Sequence, residues 1–308
     1  MSLLTELAKI IPGTGDRLAA NVPMSSHSTF HIGGPADIFF EPAKADEISK
    51  TMQFCRDNGI PLTVIGNGSN ILVSDRGIRG VVMSIGDHFA GIERHENMLL
   101  ANAGTKLASL ASYAALNDLA GIEFASGIPG TLGGAVQMNA GAYDHCMADV
   151  VILTEYLDED FKLKAVVKDE HRFGYRSSFF SNRQVVILRS CLLLVPDERQ
   201  AILGRMADLA SRRRASQPLE LPSAGSAFKR PPDHYAGKLI ADCGLKGCQI
   251  GNIQVSEKHA GFIVNLGDAN AADARKLIIH IQNTVFEKTG IHLEPEIRFI
   301  GDWTGWDE

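Results

Sequence analysis

The sequence predicts an α+β protein built in successive parts, and three observations carry that reading. Helix-period and strand-period segments alternate from the N-terminus to about residue 150. Strands then follow one another to about residue 197. Pro218 and Pro222 break the chain before a last portion of helices and strands.

Taken in order, residues 1–20 read as a helix with Leu3, Leu4, Leu7, Ile10 and Ile11 on one stripe. A turn-rich segment at 28–35 leads into a short strand at 36–41. Residues 44–58 repeat Ile48, Met52 and Cys55 at helical spacing and stop at Gly59 and Pro61. Strands are expected at 62–65, 80–85 and 98–103, and a helix at 106–119 bearing Leu107, Leu110, Ala111, Ala114 and Ala115. Strands at 150–157, 161–167 and 184–195 are expected in antiparallel succession. The polar stretch 197–217 reads as a helix whose end, Arg212, Arg213 and Arg214, is a solvated terminus favoured by the helix dipole. After the prolines come a helix at 235–243 and strands around 251–255 and 261–266. A long helix at 271–289 is capped by Asn270 and closed by Gly290. A final strand at 291–300 would set Ile291, Leu293, Ile297 and Phe299 on one face.

Bulk properties narrow the function. With 308 residues, 45% hydrophobic and 21% charged, the chain has a globular composition. A net charge of −6 argues against a general binder of nucleic acid or anionic membranes. The longest uninterrupted apolar stretch, 191–195, is far short of a membrane span. No basic start with a cleavage site precedes the first helix, and the five cysteines form no CxxC pair. A cytoplasmic protein with reduced thiols is therefore expected. No His, Cys or carboxylate spacing matches a metal site, so none is expected.

Two glycine-rich stretches stand out. The longer carries glycines at 121, 127, 130, 133, 134 and 141, with almost no charge between Glu123 and Asp144. A run without charged side chains would hold a phosphate through backbone amides, with Thr131 capping a short helix. Taken alone, it reads as readily as a connection between strands. The shorter stretch, Gly66, Asn67, Gly68, Ser69 and Asn70, resembles the start of GxGxxG, but Ile71 holds the sixth position. An apolar strand-like run follows where a Rossmann helix should begin, which excludes that fingerprint. There is no GK[ST] for a P-loop.

Seven segments in order are similar to the flavin-dependent UDP-N-acetylenolpyruvoylglucosamine reductase family of bacterial peptidoglycan synthesis. They are Thr29-Phe-His-Ile-Gly-Gly-Pro-Ala, Gly66-Asn-Gly-Ser-Asn-Ile-Leu, Gly127-Ile-Pro-Gly-Thr-Leu-Gly-Gly-Ala-Val-Gln-Met-Asn-Ala-Gly-Ala-Tyr, Tyr175-Arg-Ser-Ser, Ala224-Gly-Ser-Ala-Phe-Lys-Arg-Pro, Val255-Ser-Glu-Lys-His-Ala-Gly-Phe-Ile-Val-Asn and Leu293-Glu-Pro-Glu-Ile-Arg. The resemblance runs from residue 29 to 301. It implies an N-terminal helix and lead-in at 1–30 and an FAD-binding domain at 31–197. The FAD module is of the vanillyl-alcohol-oxidase (PCMH) type, with two α/β subdomains at about 31–85 and 86–197. A substrate-binding α+β domain at 198–308 completes the implied plan.

The resemblance also implies a reaction and its residues. NADPH reduces a non-covalent FAD, and the enolpyruvyl ether of UDP-N-acetylglucosamine is then reduced to UDP-N-acetylmuramate. It assigns Ser226 as proton donor, with Arg176 and Glu296 stabilising the enolate. Tyr175, Arg176, Lys229 and Arg230 would hold the substrate. The cofactor would lie on Gly66–Asn70, Ser126, Gly127, Ile128, Pro129, Gly130, Thr131, Gly133, Gly134, Ala135, Asn139, Ala140 and Gly141. His259 is read as structural, a monomer is the default state, and His31 and Ser223 depart from many relatives. No inserted loop separates Arg176 from Ser226, as in the shorter branch of the family.

Overall fold

The computed structural model describes residues 2–305; Met1, in the predicted first helix, and residues 306–308, in the predicted last domain, lie outside the described residues. The fold is α+β, as the alternating periods predict. It comprises two compact units, each assembled from separated stretches. One holds the chain up to Ala19, Ile38–Asn67 and Val81–Arg213. The other holds Ala20–Asp37, Gly68–Gly80 and the chain from Arg214 on.

In the first unit, helix α1 (Leu3–Ile10) begins at Ser2, whose hydroxyl accepts from the Thr5 amide at 3.3 Å. The helix expected over 1–20 stops here, because Pro12 disfavours helical backbone at Ile11 and Gly13 turns with φ +80°. A short 3-10 turn, Gly15–Arg17, and a strand, Leu18–Pro23, take up the rest. Helix α2 (Ala45–Asp57) buries Ile48, Met52 and Cys55, as its spacing requires. It leads to Leu62–Ile65, which pairs in parallel with Ile78–Ser84 through Leu62↔Val81 to Ile65↔Ser84.

The unit's main sheet has five antiparallel strands in the order Leu163–Val167, Val151–Leu157, Val186–Leu193, Met98–Asn102, Ile92–His95. Helices α3 (Leu107–Leu116) and α4 (Leu132–Met138) bury Leu107, Leu110, Ala114, Leu132 and Val136 in the same core as Leu99 and Leu192. Helix α3 was expected to reach 119. It ends at Leu116 because Asn117 turns its amide back to Tyr113 O (2.8 Å) and Asp118 takes φ +59°. Helix α5 (Arg199–Ser216) closes this part.

The second unit carries an antiparallel sheet in the order Ser223–Ser226, Phe262–Asn265, Ile253–Val255, Gln249–Ile250. Helices α6 (Ala236–Asp242) and α7 (Ala271–Thr289) share its core. Asn270 caps α7 by accepting from Asp273 N at 2.7 Å, and Gly290 ends it at φ +72°, both as predicted. The Asp75 carboxylate also accepts from Ala271 N (2.7 Å) and Ala272 N (2.9 Å). The strand expected over 291–300 shrinks to Arg298–Ile300, parallel to Ile71–Val73. Pro295 has no N–H for a ladder, and the preceding residues run irregularly with Leu293 and Ile297 still buried. No helix among the described residues is long and apolar enough to cross a membrane.

Candidate functional site

Gly66 and Asn67 of the shorter glycine stretch meet the longer stretch in the first unit. Gly66 packs so closely on Thr131 that an added Cβ would lie 2.3 Å from Thr131 Oγ1. Asn67 Nδ2 donates to Pro129 O at 2.8 Å. The shorter stretch joins one strand to another, Leu62–Ile65 to Ile71–Val73, in keeping with the failed Rossmann test. The longer stretch runs from a 3-10 turn at Glu123–Ala125 through α4 to Asn139, which closes the helix at φ +43°.

Thr131 occupies the N-cap position of α4, but its hydroxyl makes no capping bond. That buried oxygen has no partner among the described residues. The amides of Gly130, Leu132 and Gly133 are already engaged by Ile128 O, Thr105 O and Ala103 O at 2.9 Å each. Among the described residues, the amides of Gly127, Thr131 and Gly134 carry no backbone bond and stay available. Gly134 is exposed, and an added Cβ there would meet nothing closer than 3.9 Å.

The sequence predicts a solvated Arg213, and the fold corrects that. Helix α5 lays Arg213 against Gly127, where an added Cβ would stand 3.0 Å from Arg213 Cδ and 3.2 Å from Nη1. Arg213 Nε is buried without a partner among the described residues, and burial pushes the guanidinium below its ordinary value, with Tyr143 opposing that shift. Arginine keeps its charge, so this is a partly desolvated cation beside the glycine loop. A half-buried cation, an orphaned hydroxyl and a surface that only glycine permits fit a bound diphosphate. The three-arginine run hid this, because helical phase alone does not say which arginine turns inward.

Arg176 sits in a tight turn nearby in the same unit. Gly174 and Ser177 exchange backbone bonds of 3.0 and 3.3 Å, leaving Tyr175 and Arg176 at the tip. Arg176 has φ +54°, a conformation disfavoured for a residue with Cβ. Its guanidinium lies over the Tyr175 ring at 5.1 Å. Asn139 ties this turn to the glycine stretch, donating from Nδ2 to Gly174 O (3.0 Å) and accepting from Ala148 N at Oδ1 (2.9 Å). Both polar ends of Asn139 are thus engaged within the protein.

The second unit brings Ser226 and Glu296 together. Ser226 ends its strand opposite Phe262 and follows Gly225, at φ +76°. Glu296 N donates to Ala227 O at 2.9 Å, so the two residues lie on adjacent backbone segments. Asn70 fixes this pairing from both sides: Nδ2 donates to Glu296 O (3.1 Å), and its own carbonyl accepts from Arg298 N (3.0 Å). Gly68 belongs here too, where an added Cβ would meet His27 O at 2.1 Å. Lys229 pairs with Glu294 at 2.5 Å, and Arg230 stacks over Tyr235 at 4.0 Å. His259 Nδ1 accepts from Gly261 N at 3.1 Å, and burial pushes its ring below the ordinary histidine value, which suits a structural residue.

Comparison with known proteins gives the family. Residues 36–164 match the model of the FAD binding domain family, and residues 217–300 that of the UDP-N-acetylenolpyruvoylglucosamine reductase C-terminal domain. The chain is 46% identical over 286 residues to UDP-N-acetylenolpyruvoylglucosamine reductase of Caldanaerobacter subterraneus subsp. tengcongensis, covering 93% of this chain and 94% of that one. The reductase of Listeria monocytogenes serotype 4a is 44% identical, covering 92% and 94%. The crystal structure of UDP-N-acetylenolpyruvylglucosamine reductase from Thermus caldophilus superposes with a TM-score of 0.78 at 34% identity, covering 92% and 97%. At this identity and coverage the chain belongs to the UDP-N-acetylenolpyruvoylglucosamine reductase family of flavoprotein oxidoreductases.

Proposed function

We propose that the protein reduces UDP-N-acetylglucosamine enolpyruvate to UDP-N-acetylmuramate, with NADPH as the electron source, in the cytoplasmic synthesis of peptidoglycan precursors. The observation that carries this reading is Ser226 beside Glu296, inside the segment matched to the family's C-terminal domain. Residues 31–197 serve as the flavin-binding part and 198–308 as the substrate-binding part. Thr131, Arg213 and the amides of Thr131 and Gly134 are suited to the FAD diphosphate, with Gly66–Asn70 and Ser126–Gly141 forming its surroundings. Bound FAD would supply the hydride for the terminal carbon of the enol ether.

Addition of hydride there leaves negative charge on the neighbouring carbon and the carboxylate attached to it. Arg176 meets that carboxylate with a cationic fork that stays charged throughout. Glu296, in its neutral form or beside a cation, supports the same charge. Ser226 gives its hydroxyl proton to the carbon, which completes addition of H⁻ and H⁺ across the double bond. Tyr175, Lys229 and Arg230 hold the nucleotide end, where a basic pair suits a diphosphate. Ser226→Ala is expected to slow substrate-dependent NADPH oxidation about 100-fold to 10,000-fold while flavin stays bound. An undiminished rate in that variant would show that the proton comes from elsewhere.

A further inference from the structure

We propose that His171 is a positioning residue for the Tyr175–Arg176 turn, holding it through an uncharged imidazole shut away from water. The proposal rests on the reading of Arg176 as the group that meets the substrate carboxylate. His171 is fully buried, and its Nδ1 lies 2.8 Å from Lys168 O. A carbonyl only accepts, so Nδ1 carries the hydrogen and Nε2 of the neutral ring must accept. Nε2 takes the hydroxyl of Thr154 at 2.9 Å, and Thr154 Oγ1 is 2.9 Å from Ser190 Oγ. Thr154 and Ser190 are fully buried and face each other across neighbouring antiparallel strands. The hydrogens therefore run one way, from Ser190 to Thr154, to His171, to the Lys168 carbonyl.

The turn hangs from this ring. Phe173 stacks on it at 4.8 Å and 9°, Phe180 meets it edge-on at 6.3 Å, and Phe179 N donates to His171 O at 2.6 Å. On the other side, Asn139 holds Gly174 and Ser178 Oγ donates to Gln137 O at 2.8 Å. Arg176 keeps its disfavoured φ of +54° between these two anchors.

A second proton on the ring would reverse the Thr154 hydroxyl and leave the Ser190 hydrogen without its acceptor. It would also place a cation in a site closed to solvent. The ionisable groups on the elements packed around the ring are Lys168, Asp169 and Glu170 on its own segment, Lys164, Tyr156, Cys191 and the Glu155–Arg189 pair on the strands, and Arg172, Tyr175, Arg176 and Arg183 on the turn-bearing loop. Burial is the largest influence and holds the imidazole below its ordinary value, outweighing the bond to the Lys168 carbonyl and the charge of Glu170, which both favour the charged form. The turn should accordingly loosen only on acidification below the ordinary histidine range near pH 6.5.

The test compares FAD-loaded wild type with His171→Asn and with Thr154→Val, which cuts the relay at nearly constant volume. Flavin content, flavin reduction by NADPH and substrate KM are followed from neutral pH down to about pH 5. The expected result is a substrate KM raised roughly tenfold to hundredfold in both variants, with flavin content and NADPH reduction unchanged. The wild-type KM should climb on acidification, and that climb should vanish in His171→Asn. A wild-type KM in both variants, or equal losses in flavin content, NADPH reduction and KM, overturns the proposal. Arg176→Lys is the control: if it leaves KM and turnover untouched, the reading of Arg176 fails, and the role of His171 falls with it for that separate reason.

Discussion

Gly66 shows how one missing side chain can shape the surface proposed to hold the cofactor. It is required for space, since an alanine methyl would press on Thr131 Oγ1 at 2.3 Å. Gly66→Ala is expected to lower the flavin retained on purification several-fold with the fold intact, read as the ratio of flavin to protein absorbance. Adding Thr131→Ala, which removes the colliding oxygen, should restore part of it. Flavin content unaffected by Gly66→Ala would mean that this contact lies away from the cofactor. The sequence made the glycine legible as a loop residue, but its partner was not, because Thr131 stands 65 positions away. Asn70 and Asn139 were legible in the same partial sense: their place in glycine motifs was visible, their bonds to Glu296 and Gly174 were not.

At the scale of elements, α5 is the piece whose role changed most between sequence and fold. Its closing arginines were read as a solvated terminus, yet the helix is clamped at several points within its unit. Arg205 donates from Nε and Nη2 to Glu123 Oε1 (2.9 and 2.8 Å) and from Nη2 to Asp197 (2.6 Å). Glu123 Oε2 in turn accepts from Gly121 N at 2.7 Å, and Tyr143 OH donates to Leu209 O at 3.2 Å. The clamp fixes the rotation of the helix, and rotation decides that Arg213 meets Gly127. A charge-assisted contact contributes about 1.5–3 kcal/mol, so Arg213→Ala should raise the Kd for FAD roughly tenfold to hundredfold. Titration of apoprotein with FAD checks this, and an unchanged Kd would remove Arg213 from the cofactor surface.

Element boundaries followed local chemistry where that chemistry was strong. Asn270 and Gly290 marked the ends of α7 because a cap and a left-handed residue act within one turn. Pro12 and Pro295 were equally local signals, and weighing them more heavily would have shortened the first helix and the last strand. The order of strands in each sheet is different in kind. It depends on pairings such as Ser190 with Ala101, and no turn signal between residues so far apart records them.

For the whole molecule, the clearest pH-dependent term is the Arg17–Glu47 pair. Arg17 contacts Glu47 through both Nη1 and Nη2 at 2.8 and 2.9 Å, and Ala43 N donates to the same carboxylate at 2.7 Å. The Arg17 bond is the largest influence and lowers Glu47 from 4.5 to about 2. Between those values the unfolded chain binds more protons than the folded one, so stability falls as pH falls. The contribution is complete above pH 4.5 and is lost on approach to pH 2. Glu47→Gln should therefore flatten the acid limb of a stability curve and lower stability at neutral pH by about 2–3 kcal/mol, measured by denaturant unfolding across that range.

The central claim is that the reduced protein delivers hydride to an enolpyruvyl ether and that Ser226 supplies the accompanying proton. Its most direct test is anaerobic. FAD-loaded protein is reduced with one equivalent of NADPH and mixed with UDP-N-acetylglucosamine enolpyruvate while the oxidised-flavin absorbance is followed. The account predicts stoichiometric return of that absorbance in wild type, with UDP-N-acetylmuramate as product, and a return slowed at least 100-fold in Ser226→Ala. Flavin that stays reduced with the enolpyruvyl substrate and is reoxidised only when oxygen is admitted would contradict it.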